Sequence, residues 1–229
     1  MDLDSDGNNE VISGSYWPGH IFIFKSNANG EYAKGVELTD SSGEKLHGGK
    51  KWKNEQEPDM DSLAAAPWMV DWDADGDLDM LSGSAQGGVF LVTNIGTKTA
   101  PKFAEPVELL EPAGYPDHEK VVMGDAHLQG PQAGTRVWAD DLNGDGKLDL
   151  LVGDNVHLLY PAEGIDEATA RKEYEAWTAR RNAFFQVDRD FSDEAVMEAY
   201  QKDYEKLQAE LKEFVDEQYT GFVWVLYQK

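Results

Sequence analysis

Three nine-residue stretches rich in aspartate constrain this chain more than any other feature. They are Asp2-Leu3-Asp4-Ser5-Asp6-Gly7-Asn8-Asn9-Glu10, Asp71-Trp72-Asp73-Ala74-Asp75-Gly76-Asp77-Leu78-Asp79 and Asp141-Leu142-Asn143-Gly144-Asp145-Gly146-Lys147-Leu148-Asp149. Each follows the pattern D-x-[DN]-x-D-G-x-x-[DE], and their starts lie 69 and 70 residues apart. A constant period marks a repeat architecture. Of the 24 aspartates in the chain, 11 fall in these 27 residues, so dispersed surface charge does not account for them.

The spacing suits a hard cation. Calcium takes six to eight oxygens at about 2.3–2.6 Å, whereas magnesium demands stricter octahedral geometry and retained waters. Side chains at positions 1, 3 and 5 of a tight loop converge: Asp2, Asp4 and Asp6; Asp71, Asp73 and Asp75; Asp141, Asn143 and Asp145. The glycine at position 6 permits the left-handed turn that returns the chain around the ion. Position 7 offers a carbonyl, which leaves its side chain free and explains why Asn8, Asp77 and Lys147 all occupy it. Position 9 closes the site with Glu10, Asp79 or Asp149. About three calcium sites are expected on this reading. An EF-hand closes at position 12 and lies between helices. Here each loop leads into a strand pattern, Val11-Ile12-Ser13-Gly14, Met80-Leu81-Ser82-Gly83 and Leu150-Leu151-Val152-Gly153. The loop is therefore expected at the turn of a β-hairpin.

The second unit reads as four strands: 65–70 before the loop, 78–82 after it, 88–93 and 103–109. The first shows 21–24 and 31–38 as its third and fourth, and the third has 135–139 before its loop. Four strands per unit, radially repeated, predict a β-propeller. The units resemble FG-GAP/VCBS repeats, the calcium-loop blades of integrin α-subunit propellers and bacterial surface proteins. The resemblance rests on residues 141–153 and on the third-strand segments Gly88-Val89-Phe90-Leu91 and Gly221-Phe222-Val223-Trp224. It implies structural calcium, an adhesive or lectin-like role, and an extracellular, periplasmic or cell-surface location. The expected fold is all-β: a partial propeller of about three four-stranded antiparallel blades with an inserted helical hairpin. Propellers have about four to eight blades, so further sequence or another chain is expected to complete the ring.

Residues 166–217 interrupt the β pattern. Asp166 is a candidate N-cap for a helix to Phe185, and Ser192 starts a second. Tyr174, Trp177, Phe184 and Phe185 mark one face of the first; Met197, Tyr200, Tyr204, Leu207, Leu211 and Phe214 mark one face of the second. The expected organisation is blades over 1–164, a helical hairpin over 165–218 and a returning strand over 219–229. Alternating strand direction puts the metal loops on one rim. The hairpin, the connections 40–62 and 112–134, and the loop 15–20 fall on the other. Loops on a rigid scaffold carry recognition, which makes Tyr16, Trp17, Trp52, Tyr115 and His118 candidate ligand contacts.

Composition narrows the partners. Lys and Arg number 20 against 44 Asp and Glu, a net charge of −24. This argues against nucleic acid and anionic membrane surfaces, because both are bound through cations. No membrane-spanning run is present, and the absence of cysteine rules out disulfides and zinc–thiolate sites. The histidines at 20, 47, 118, 127 and 157 are scattered, and His157 reads as a satisfied packing residue. No carboxylate pair outside the metal loops has a spacing that implies acid–base catalysis. The residues favour a non-enzymatic module for protein or glycan recognition. A propeller-based polysaccharide lyase or hydrolase, and a passive blade of a large surface protein, stay open.

Overall fold

The computed structural model describes residues 1–49, 62–113 and 123–229. The first sheet contains β1 (Glu10–Gly14), β2 (Ile21–Lys25) and the two-residue β3 (Val36–Glu37), antiparallel in that order. Its third strand was expected to be longer. Pairing over the expected span 31–38 is instead split into an isolated bridge of Tyr32 with Ser26, next to a turn in which the Asn27 side-chain oxygen accepts the N–H groups of Asn29 and Glu31, and the two residues of β3.

The second sheet is complete to four strands: β4 (Ala66–Val70), β5 (Asp79–Gly83), β6 (Val89–Val92) and β7 (Val107–Leu110), again antiparallel and in chain order. The third begins with β8 (Ala133–Asp140) and the 13-residue β9 (Asp149–Pro161). Two helices follow, α1 (Glu167–Gln186) and α2 (Glu194–Leu211), and then β10 (Val215–Thr220) and β11 (Val223–Leu226). In this sheet β9 lies between β10 and β11 and also pairs with β8. The protein is thus built, among the described residues, mainly of antiparallel sheet, in three sheets, with two helices. Among the described residues the sheets do not close on one another.

Register aligns the strand that leaves each nonapeptide in the same way. The residue after each nonapeptide faces the last or last-but-one residue of the next ladder strand: Val11 opposite Phe24, Met80 opposite Val92, Leu150 opposite Leu226. β1, β5 and β9 are therefore equivalent, as are β2, β6 and β11.

The chain divides into two units. The first comprises Met1–Tyr115, Gly130–Val156 and Gly221–Lys229. It holds two apolar clusters. One joins Ile21, Ile23 and Leu46 to Met80, Val92 and Phe103; the other joins Leu81 and Val89 to Val137, Leu150 and Val152. The second unit, Pro116–Gln129 with His157–Thr220, has its own core of Leu159, Ala170, Tyr174, Trp177, Leu207, Leu211, Phe214 and Val215.

In the second unit Asp166 caps α1 as expected, accepting the Thr169 N–H at 2.9 Å. The cap of α2 is Asp193, not Ser192, because Asp193 reaches the Ala195 N–H while Ser192 turns back to Asp190. Trp177 donates its indole N–H to the Leu207 carbonyl at 2.8 Å and pins the two helices at mid-length. Phe185 and Met197, expected in this seam, are exposed instead. Residues 215–218, expected as the end of the hairpin, belong with Tyr219 and Thr220 to strand β10. There His157 stacks on Tyr219 at 4.4 Å and places Nε2 3.0 Å from Glu217. Among the described residues no helix is long and apolar enough to cross a membrane.

Candidate metal centre

Each nonapeptide is folded by its own carboxylates. The position-1 aspartate accepts the glycine N–H at position 6: Asp2 from Gly7 at 3.1 Å, Asp71 from Gly76 at 3.0 Å, Asp141 from Gly146 at 2.9 Å. The position-5 aspartate accepts the N–H two residues on, at Asn8, Asp77 and Lys147. The turn glycine is left-handed in all three, with φ of 88°, 96° and 86° at Gly7, Gly76 and Gly146. Position 4 is left-handed too, and here the residues are Ser5 (56°), Ala74 (61°) and Gly144 (78°). Only the glycine adopts this region without strain.

Position 9 does more than close a ring of ligands. Glu10, Asp79 and Asp149 are all at most 2 % exposed. Each accepts the N–H of position 2 of its own loop: Leu3 at 2.7 Å, Trp72 at 3.0 Å and Leu142 at 3.1 Å. The second oxygen of Asp79 accepts the Asn94 N–H at 2.7 Å, and that of Asp149 accepts Gln228 at 3.0 Å. Asn94 and Gln228 hold the same place, two residues beyond β6 and β11. One carboxylate therefore ties the loop to the strand neighbouring its exit. Sequence reasoning missed Asn94 and Gln228, which only the strand register brings to position 9.

Two of the loops gather carboxylates closely. One oxygen from each of Asp2, Asp4 and Asp6 lies within 4.8 Å of the others, and the same holds for Asp71, Asp73 and Asp79. The third loop forms no such trio among the described residues, since Asn143 replaces one carboxylate and donates to Asp145. In the first loop Lys25 contributes a resident cation, its ammonium 2.5 Å from Asp4 Oδ2.

Unused acceptors remain. Asp4 Oδ1, Glu10 Oε1 and Asp71 Oδ1 are shielded from solvent and lack a hydrogen-bond partner. Burial pushes the Asp79 carboxyl up; the N–H groups of Asn94 and Trp72 oppose this, and Asp73 and Asp77 add to it. The position-7 side chain of the second loop is not free as expected: Asp77 is buried, and burial with Asp75 and Asp73 raises its carboxyl against a contact from Asn94. Desolvated, mutually repelling carboxylates with spare lone pairs fit a hard divalent cation bound by oxygen.

The candidate ligand rim is described at two positions. Tyr16 is 79 % exposed and Trp17 59 %, on a loop whose Tyr16 carbonyl accepts the Ala64 N–H. Trp52, Tyr115 and His118 lie outside the described residues. Beside this loop, His20 Nδ1 is 2.7 Å from Glu37, and Lys45 bridges the same carboxylate at 3.1 Å. The His47 ring meets His20 edge-on at 4.8 Å. Burial, then the neighbouring His20, holds His47 down at about 4. Protein-family models, curated proteins and solved structures were compared with this chain, and none matches it.

Proposed function

We propose that this chain is a non-enzymatic calcium-binding module of the β-propeller kind, which recognises a protein or glycan at a cell surface or outside the cell. Calcium is structural in it. The ion neutralises carboxylates that the fold gathers at the head of each β1-type strand, and fixes the strand neighbouring each loop. The observation that carries the reading is the shared loop. One backbone conformation and one position-9 hydrogen bond recur three times at the same register. In two of the loops solvent-shielded carboxylate oxygens are left over to take a cation. Recognition falls to the exposed aromatics of the 15–20 loop, which offer flat apolar faces at low entropic cost.

Calorimetry with and without chelator tests the metal. Binding to the folded state alone stabilises it by about 2.7 kcal/mol per site at a hundredfold excess over Kd. Tm should therefore fall by several degrees in EDTA and recover on adding calcium. A melting curve indifferent to both would refute the calcium reading. Terbium provides a local probe, because Trp72 lies inside the second loop and sensitises emission only from an ion beside it. Asp75→Ala should reduce that emission. A glycan array probed with the wild type and with Trp17→Ala tests the recognition surface.

A further inference from the structure

A glycine recurs with the same period as the metal loops, at Gly14, Gly83 and Gly153, in the last equivalent position of β1, β5 and β9 pairing. None of these three has a left-handed φ. Glycine inside a strand weakens it and marks close approach of another backbone. At Gly14 the reason is visible: a Cβ would collide with the Ala65 carbonyl, at the entrance to β4 of the following sheet. At Gly83 the same atom would collide with the Thr135 carbonyl, in β8 of the following sheet. Ala65 and Thr135 are themselves 70 residues apart. The arriving strand is also hydrogen-bonded in the same way twice. Ala64 donates to the Tyr16 carbonyl at 2.9 Å, and Gly134 donates to the Ala85 carbonyl at 2.8 Å.

Gly153 has no such reason among the described residues. Its Cβ would meet nothing nearer than the Arg136 carbonyl at 3.9 Å, an ordinary contact. Beside it opens a cleft of about 390 Å³ lined by Arg136, Asn155, Gly221 and Phe222. By chain offset Asn155 holds the position of Tyr16 and Ala85, the acceptors of the two precedents, but it continues strand β9 and pairs with Ala133 of β8. The neighbouring strand is uncovered as well: Val223 in β11 is 70 % exposed, whereas its equivalent in β6, Val89, is fully buried.

We propose that the Gly153 cleft is a docking groove for an extended strand of the β4/β8 type, one that lays the backbone of a small residue such as Ala or Thr against the glycine. The occupant is specified by the two precedents in the same unit, where that segment fills the same place. The inference rests on the repeat reading and not on calcium.

The test uses the whole chain and a synthetic peptide of residues 130–140, the segment that fills the groove at Gly83. NMR titration to millimolar peptide should show saturable shifts at Gly153, Asn155 and Val223, absent with a scrambled peptide. Gly153→Val should weaken binding at least tenfold while leaving Tm unchanged, because the strand has room for the side chain. Gly153→Ala should do the same more mildly. A wild type that ignores the peptide, or equal binding by Gly153→Val, overturns the proposal. So does loss of folding in both variants, since that would show the space is already in use. EDTA calorimetry on the same samples separates this outcome from the calcium reading: a chelator-sensitive Tm without peptide binding leaves the proposed function standing and removes only the groove.

Discussion

The unit carrying the aspartate loops and the helical hairpin are held together by opposite means. In the hairpin, apolar rings and aliphatic chains close a seam whose central polar contact, Trp177 to Leu207, is made, with the buried Thr178 hydroxyl left without a hydrogen-bond partner among the described residues. In the loops, carboxylates fold the backbone by accepting its N–H groups and are left with negative charge that nothing among the described residues fully balances. The first kind of structure needs only burial. The second is pre-shaped but electrostatically unfinished, and its stability must depend on solution conditions in a way the hairpin's does not.

That contrast can be broken at either end. The largest effect is expected in the hairpin, where Trp177→Ala opens the seam and removes its central hydrogen bond. A loss of about 3–5 kcal/mol is expected, seen as early loss of helical circular dichroism at unchanged calcium affinity. Equal weakening of calcium binding would show that the two regions are not energetically separable.

Acid should act on the sheets instead. His47 titrates near 4 in the folded protein, against an ordinary value of 6.5. A depressed histidine contributes stability above pH 6.5, and that contribution disappears as pH falls from 6.5 to about 4. The full span corresponds to about 3 kcal/mol. Hydrogen exchange across this window should quicken in β1–β3 before α1 and α2, and His47→Gln should flatten the slope. An identical slope in that variant would assign the acid sensitivity elsewhere.

Asp79→Asn tests the double role of position 9. The amide accepts one N–H and turns its own donor towards the other, so a buried N–H loses its partner at about 1–3 kcal/mol. The variant should lose stability in EDTA as well as in calcium, whereas Asp75→Ala should lose it mainly in calcium. The smallest effect is a gain. Ala74 sits at φ 61° in open loop backbone, and Ala74→Gly should add about 1 kcal/mol by relieving left-handed strain. A destabilised Ala74→Gly would mean that flexibility costs more there than strain.

These particulars show what could be read in advance. The strands leaving the nonapeptides and the cap at Asp166 follow from local chemistry and stand where the pattern puts them, and the second and third nonapeptides join paired strands as expected, while the first leads into β1 alone. Ser5 and Ala74 carry no turn signature, so the left-handed position 4 is visible only in coordinates. Residues 215–220 alternate too weakly to signal a strand; Val215–Thr220 becomes one because β9 runs on past Gly153 and supplies an edge to pair with. Asn94 and Gln228 meet position 9 through register, which no short window of sequence contains. Lys25 reaches Asp4 across 21 residues for the same reason.

The pairing of β9 with β11 has a further implication. Between Gly83 and Val89 the chain crosses from β5 to β6 in five residues; the equivalent crossing, Gly153 to Val223, spends 69. Chain-closure entropy grows only as the logarithm of length, so this enlargement handicaps the ladder by roughly 2 kcal/mol, and a folded insert recovers part of it by holding its own ends together. The crossing behaves as a port: a foreign domain with adjacent termini could be spliced there in place of the helices, leaving the ladder to assemble as before.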